Sequence, residues 1–282
     1  MDTVVGEDNS CLVDVYKEQK KFRKQVAKGI INFCNSYIPV EPSGTIKYSN
    51  TELSKILNSY GKVQSNVQSN YGHTYIEVTN EDTFVAGTRL SRLYNDIRKP
   101  VVLNMANAKY IGGGFINGAR AQEEELCRRS NLYQCLLSNK ELYPMKEYDT
   151  IYTKSIYVIA DTNYQLYEPN EWTQLAVVSA AAYNKPPVID GHLDMFHMTG
   201  MEMKIEQVLN VALINNHVDI VLSAWGCGAF RNPPVDIANI FKKLLSTTYK
   251  NQFRHVVFAV YDTSETSENY VVFKNIITGA EN

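Results

Sequence analysis

The chain has 282 residues, 44% hydrophobic and 21% charged, values close to globular averages that exclude a disordered, collagenous or low-complexity protein. Its 28 Lys+Arg against 30 Asp+Glu leave a net charge of −2, so no chain-wide basic field exists to hold a nucleic-acid backbone, and no nucleic-acid partner is expected. Five cysteines (Cys11, Cys34, Cys127, Cys135 and Cys227) form no CxxC pair, and neither a signal-like N-terminus nor a bilayer-length apolar run is present. An intracellular protein, cytoplasmic or nuclear and without membrane contact, is expected.

Residues 14–36 place Phe22, Val26, Ile30 and Phe33 on one stripe among lysines, which predicts an amphipathic helix with a solvated basic face. Two prolines and a glycine in IPVEPSG (38–44) end it. Ser49 and Glu52 form a capping box that opens a short helix to about Tyr60, and the polar stretch 61–72 reads as loop.

From His73 on, strand-length apolar runs alternate with helical patterns. The strands are HTYIEVT, KPVVLNM, DTIYTKSIYVIAD, TQLAVVSAAAY, DIVLSAW and RHVVFAVYD; the helices lie near 81–97, 122–138, 201–216 and 234–249. Several strands are apolar without alternation, as in a sheet covered on both faces. The expected fold is therefore α/β, a three-layer α/β/α sandwich with a mixed, mostly parallel sheet over 71–282, preceded by a helical extension over 1–70.

Six of the fifteen glycines, Gly112, Gly113, Gly114, Gly118, Gly226 and Gly228, fall in two loops that each follow a strand. In an open parallel sheet, ligands sit at the carboxyl ends of strands, where glycine lets backbone N–H groups approach a phosphate. Neither loop has the Lys-Ser/Thr of a P-loop, and GGGFING is not the spaced GxGxxG of dinucleotide dehydrogenases, so a diphosphate ligand that donates no γ-phosphate is favoured. Each glycine taken singly also suits a tight turn or close packing. Gln122, Glu123, Glu124 and Glu125 occupy the first turn of the following helix, where acids complement the helix dipole but where one carboxyl can also serve as general acid and base in glycosidic cleavage. Leu126, Tyr133 and Leu137 are expected on the buried stripe of this helix.

NMAN-AKY-IGGGFINGARAQEE (104–124) resembles the signature of the bacterial-type poly(ADP-ribose) glycohydrolases of the macrodomain superfamily, GGG followed after a seven-residue spacer by QEE. The similarity continues in order from NEDTF to SAWGCGAF (223–230) and FAVYD. The resemblance implies hydrolysis of ribose–ribose O-glycosidic bonds in poly(ADP-ribose), releasing ADP-ribose, without cofactor or metal. It makes Glu124 the catalytic acid/base and Glu123 a ribose contact. Asn107 would bind the terminal ribose, and Phe230 would pack on it. Gly112, Gly113, Gly114, Gly226, Cys227 and Gly228 would wrap the diphosphate, with Phe115, Gln122 and Ala229 completing the ligand surface. The catalytic carboxyl should have a raised pKa, through desolvation and like charge. Tyr110-Ile111 departs from the Asn-Pro usual in the family. Glu125 should turn toward solvent or toward Arg128 and Arg129.

The same pocket would also serve a non-catalytic ADP-ribose reader or a hydrolase of mono-ADP-ribosylated side chains. The expected partners are ADP-ribose, poly(ADP-ribose) or ADP-ribosylated proteins, met by a monomer. Among rival constellations, Asp190, His192, Asp194 and His197 gather four metal-capable side chains at a spacing that matches no zinc pattern. Cys127 and Cys135 read as core thiols, and Trp225 as a half-buried aromatic able to stack.

Overall fold

The computed structural model describes residues 9–64, 71–94, 98–262 and 268–279. Their centre is a seven-stranded sheet in the order β1-β4-β5-β3-β8-β9-β2. The six strands expected from the sequence are all present, as β2 (Tyr75–Thr79), β3 (Val101–Met105), β4 (Thr150–Val158), β5 (Thr173–Ala180), β8 (Asp219–Leu222) and β9 (His255–Ala259). From β5 through β3, β8 and β9 to β2 the pairing is parallel, and β4 runs antiparallel between β1 and β5.

Alternate residues along one strand feed opposite layers, which explains the unbroken apolar runs. Val101, Leu103, Ile220, Leu222, Val256 and Phe258 join one core cluster with α6 (Met195–Ile214) and α7 (Pro234–Ser246), where Phe273 of α8 (Glu268–Thr278) also packs. Val102, Val221 and Val257 face the other way, onto α3 (Thr83–Tyr94), α4 (Gln122–Arg128) and α5 (Leu132–Leu137).

The first 70 residues are not helical throughout. Thr45–Tyr48 forms β1, an edge strand antiparallel to β4, between the long α1 (Asn9–Tyr37) and α2 (Asn50–Gln64). The capping box at α2 is present, with Ser49 N donating to Glu52 Oε2 at 3.0 Å and Glu52 N to Ser49 Oγ at 3.3 Å. Residues 61–64 continue this helix where loop was expected, and the rest of that stretch to 70 lies outside the described residues, as do 95–97 of the expected 81–97 helix.

The stripe of α1 packs inward as expected at Ile30, which is buried, and at Val26 and Phe33, which are half-buried against the core, but its buried centre lies about one residue on and leaves Phe22 out. Phe22 is 52% exposed, while Arg23, Ala27, Ile30 and Cys34 are buried. The cause is tertiary: Arg23 Nε donates to Gly118 O at 2.9 Å, and Gly118 lies against the backbone of Lys20 with no room for a side chain. Nor is 122–138 one helix. Ser130 pairs with Val158, and Asn131 Oδ1 accepts from Tyr157 N at 2.7 Å, so the strand end captures the backbone between α4 and α5. That break re-registers the stripe: Leu126, Leu132, Cys135 and Leu136 are buried, Tyr133 is half-buried and Leu137 is exposed. The chain also forms a hairpin, β6 (Val188–Ile189) with β7 (His192–Leu193), and α6 starts six residues before the expected 201, capped by Asp194.

Candidate active site

β3 ends in the middle of the sheet at Met105, and the next residues fold into successive tight turns. Gly113 N donates to Tyr110 O, Phe115 N to Gly112 O and Asn117 N to Gly114 O, each at 3.0 Å. Asn107 Oδ1 starts the run by accepting from Lys109 N and Tyr110 N, a local bonding pattern asparagine favours. Helix α4 then returns three consecutive side chains to this first glycine loop. Gln122 Oε1 accepts from Met105 N at 2.9 Å, Glu123 Oε2 from Asn107 N at 2.8 Å and Glu124 Oε1 from Gly114 N at 2.8 Å. The loop is thus wrapped around the first turn of α4 and tied at three points.

Both carboxylates converge on Gly113, which sits at φ +57; a Cβ there would fall 2.6 Å from Glu124 Oε1 and 3.0 Å from Glu123 Oε2, so the position admits only glycine. Glu123 and Glu124 are both buried. Glu123 has both oxygens occupied, the second by Asn104 Nδ2 at 3.4 Å. Its pKa is pushed up to about 8, chiefly by desolvation and further by the Glu124 charge, against the opposing effect of the Asn107 amide. Glu124 is bound through one oxygen only, and its Oε2 is buried with no protein partner among the described residues.

The second glycine loop leaves β8 and is shaped by one buried amide. Asn232 Nδ2 donates to Tyr183 O at 2.8 Å and Gly226 O at 3.1 Å, while Asn232 N also donates to Gly226 O. Gly226 lies at φ +79, and a Cβ there would meet Asn232 Nδ2 at 2.6 Å and Ala182 Cβ at 2.7 Å, both inside the protein. At Gly228 a Cβ would meet nothing within 4 Å. Next to it a cleft of about 650 Å³ runs between the strand ends, lined among others by Gln122, Gly226, Gly228, Ala229 and Phe230.

A family sequence pattern described as "Microbial-type PARG, catalytic domain" matches residues 17–169, more than half of the chain. The chain belongs to that family. Its structure is similar to poly(ADP-ribose) glycohydrolase from Thermomonospora curvata (28% identity, TM-score 0.79, 91% of this chain and 99% of that one). It is also similar to that enzyme bound to the inhibitor ADP-HPD (28% identity, TM-score 0.76, 90% and 98%), and to the Deinococcus radiodurans glycohydrolase in complex with ADP-ribose (28% identity, TM-score 0.72, 84% and 95%). No curated protein matches the chain.

In this microbial PARG domain the expected site residues divide in two. Gln122, Gly226, Gly228, Ala229 and Phe230 face the cleft, whereas Asn107, Gly112, Gly113, Gly114, Glu123 and Glu124 form the carboxylate-bearing loop beside it, and half-buried Cys227 packs against the core. Phe115, expected on the ligand surface, does not line the cleft: it is fully buried against Tyr133, with ring centroids 4.9 Å apart. Trp225 is 1% exposed and belongs to the core beneath the second loop, where it forms part of the cleft lining.

Several cleft residues escaped the sequence reading. Asp82 caps α3 by accepting from Phe84 N at 2.9 Å and pairs with buried Arg129 at 2.9 Å. Glu125 also lines the cleft, held by Arg128 at 2.8 Å and by the Tyr164 hydroxyl at 2.8 Å. Phe22 and Arg23 of α1 and Arg120 line the same cleft. Of these, only the Asp of NEDTF, one residue before a helix, carried a local signal, that of a cap.

His192 and His197 serve separate acids, Asp236 at 2.6 Å and Asp194 at 2.8 Å, and no metal-capable cluster of three or more His, Cys, Asp or Glu exists among the described residues. No helix there is long and apolar enough to cross a membrane.

Proposed function

We propose that the chain hydrolyses the ribose–ribose O-glycosidic bonds of poly(ADP-ribose) and releases ADP-ribose, with Glu124 as general acid and base. The observation that carries this reading is the asymmetry of the carboxyl pair: Glu123 is satisfied by protein at both oxygens, whereas Glu124 is fixed through Oε1 by Gly114 and keeps Oε2 unpartnered. A carboxyl anchored at one oxygen holds the other in a fixed direction, the requirement for proton delivery. Protonated Glu124 gives its proton to the departing ribose oxygen as the glycosidic bond breaks. The carboxylate then takes a proton from the attacking water as the new C–O bond forms. The second loop and Phe230 hold the ADP-ribose portion, a role supported by the family membership and by the ADP-ribose complex of the D. radiodurans relative.

Incubation with labelled poly(ADP-ribose) and, separately, with mono-ADP-ribosylated protein tests the reading. Release of ADP-ribose from the polymer is expected. Tight ADP-ribose binding with no release from either substrate would overturn it in favour of a reader.

A further inference from the structure

We propose that Tyr110, flanked by Lys109 and Lys146, forms a subsite for the departing part of the polymer: the adenine next to the cleaved bond stacks on Tyr110, and its diphosphate lies toward the two lysines. This rests on the glycohydrolase reading above.

Tyr110 is 67% exposed on the first glycine loop, next to exposed Lys109, although residues 106–108 before them and 111–115 after them are half-buried to buried. The ring is nonetheless mounted on a fixed backbone: Tyr110 N donates to Asn107 Oδ1, and Tyr110 O accepts from Gly113 N. Gly113 is the residue against which both carboxylates lie, so Tyr110 is one hydrogen bond away from the catalytic pair. An exposed aromatic on a held backbone loses little freedom when a base stacks on it, and such stacking is tolerant of which base is offered.

The charge around it suits the same ligand. Met145 N donates to Ala108 O at 2.8 Å, joining the 143–149 loop to the glycine loop. Lys109 and Lys146, each the next residue after this junction, are both exposed. The adjacent acid, Glu147, is taken up by the Tyr183 hydroxyl.

The chemistry of the polymer sets the same order of groups. The cleaved bond joins the terminal ribose to the ribose of the preceding adenosine, so the part that leaves Glu124 carries an adenine one sugar away and a diphosphate beyond it. Free ADP-ribose, which fills only the terminal-unit pocket, would not reach Tyr110.

The test compares two ligands. Tyr110→Ala should raise KM for poly(ADP-ribose) about tenfold with kcat within about twofold, and leave the Kd for ADP-ribose unchanged. Tyr110→Phe and Tyr110→Trp should restore KM. The Lys109→Ala, Lys146→Ala double variant should flatten the salt dependence of KM for polymer. Unchanged polymer KM in Tyr110→Ala, or an equal loss of ADP-ribose affinity, would overturn the subsite while leaving the function intact. A parent chain that binds ADP-ribose but cleaves no polymer would overturn the function and the subsite together.

Discussion

The two glycine loops look alike in sequence and are built for different purposes. In the first, the glycines make room for the protein's own groups: Gly113 for two carboxylates, Gly112 for the Tyr133 ring and Gly118 for the backbone of α1. In the second, Gly226 is equally enclosed by Asn232 and Ala182, but Gly228 faces open space. A glycine cluster at a strand end therefore does not by itself mean backbone laid bare to a phosphate. Only where a side chain would point outward does the absence of one serve the ligand. The first loop is a mount for acid groups, and the second turns one bare backbone face toward the cleft, the surface proposed to receive the diphosphate.

The sharpest way to break this division is Glu124→Gln, which keeps size and the bond from Gly114 N but cannot deliver and recover a proton. Turnover of poly(ADP-ribose) should fall roughly 10²- to 10⁴-fold, with ADP-ribose affinity by calorimetry retained. Full activity in this variant would remove the first loop's chemical role.

The second loop is tested by a pair. Gly228→Val should fold normally and weaken ADP-ribose binding about tenfold or more, because its side chain enters the space left for the ligand. Gly226→Val should instead lose stability, by about 1–3 kcal/mol from positive φ alone and more from the clash with Asn232. Thermal melts with parallel binding isotherms separate the two; equal behaviour would mean that the loop offers no outward face.

Glu123→Gln sharpens the account of the carboxyl pair and should cost turnover only severalfold. The parent Glu123 titrates near 8 when folded, above its ordinary carboxyl value, so the folded state holds an extra proton between those two values. Its contribution to stability is full below the ordinary value and is lost as pH rises through about 8. Melting temperatures from pH 5 to 9 should therefore decline less steeply in Glu123→Gln than in the parent. Parallel curves would show that Glu123 is ionised throughout.

The sheet and the acid turn were legible in the sequence for physical reasons. Strands covered on both faces, such as 101–105 and 255–259, cannot be mistaken for surface, and a glycine run followed by QEE puts unusual backbone and buried acid within one loop. What stayed hidden was set by partners far along the chain. β1 is four residues at a sheet edge, too short to show a period. Arg23 reads as solvated until Gly118, 95 residues away, accepts from it. The cleft wall joins Glu125 of α4 and Arg129 at its C-terminal cap to Asp82 and Tyr164 from two distant segments that no local spacing relates to it. Phe115, which the resemblance placed on the ligand surface, is claimed by the core next to Tyr133.

Glu125→Gln is the smallest expected effect on chemistry and the one whose meaning the structure changes most. Read from the helix alone, Glu125 turns toward solvent or toward Arg128 and Arg129 one turn on, and its loss should be nearly silent. In the fold it is the carboxylate paired with Nη2 of Arg128, a guanidinium with no exposure whose Nε and Nη1 have no hydrogen-bond partner among the described residues. Removing the negative charge leaves that buried cation with Ala119 O, the Tyr164 ring and the new amide, and it loosens Tyr164 at the cleft wall. A fully buried pair broken in this way costs roughly 3–5 kcal/mol, but Glu125 is partly in water, its side chain 29% exposed, so about 1–2 kcal/mol is expected here. kcat should stay within about twofold of the parent because Glu125 donates no proton to substrate, while the denaturation midpoint falls. Loss of kcat comparable to that of Glu124→Gln would move the acid one residue along the helix and undo the assignment made from the anchoring of Glu124.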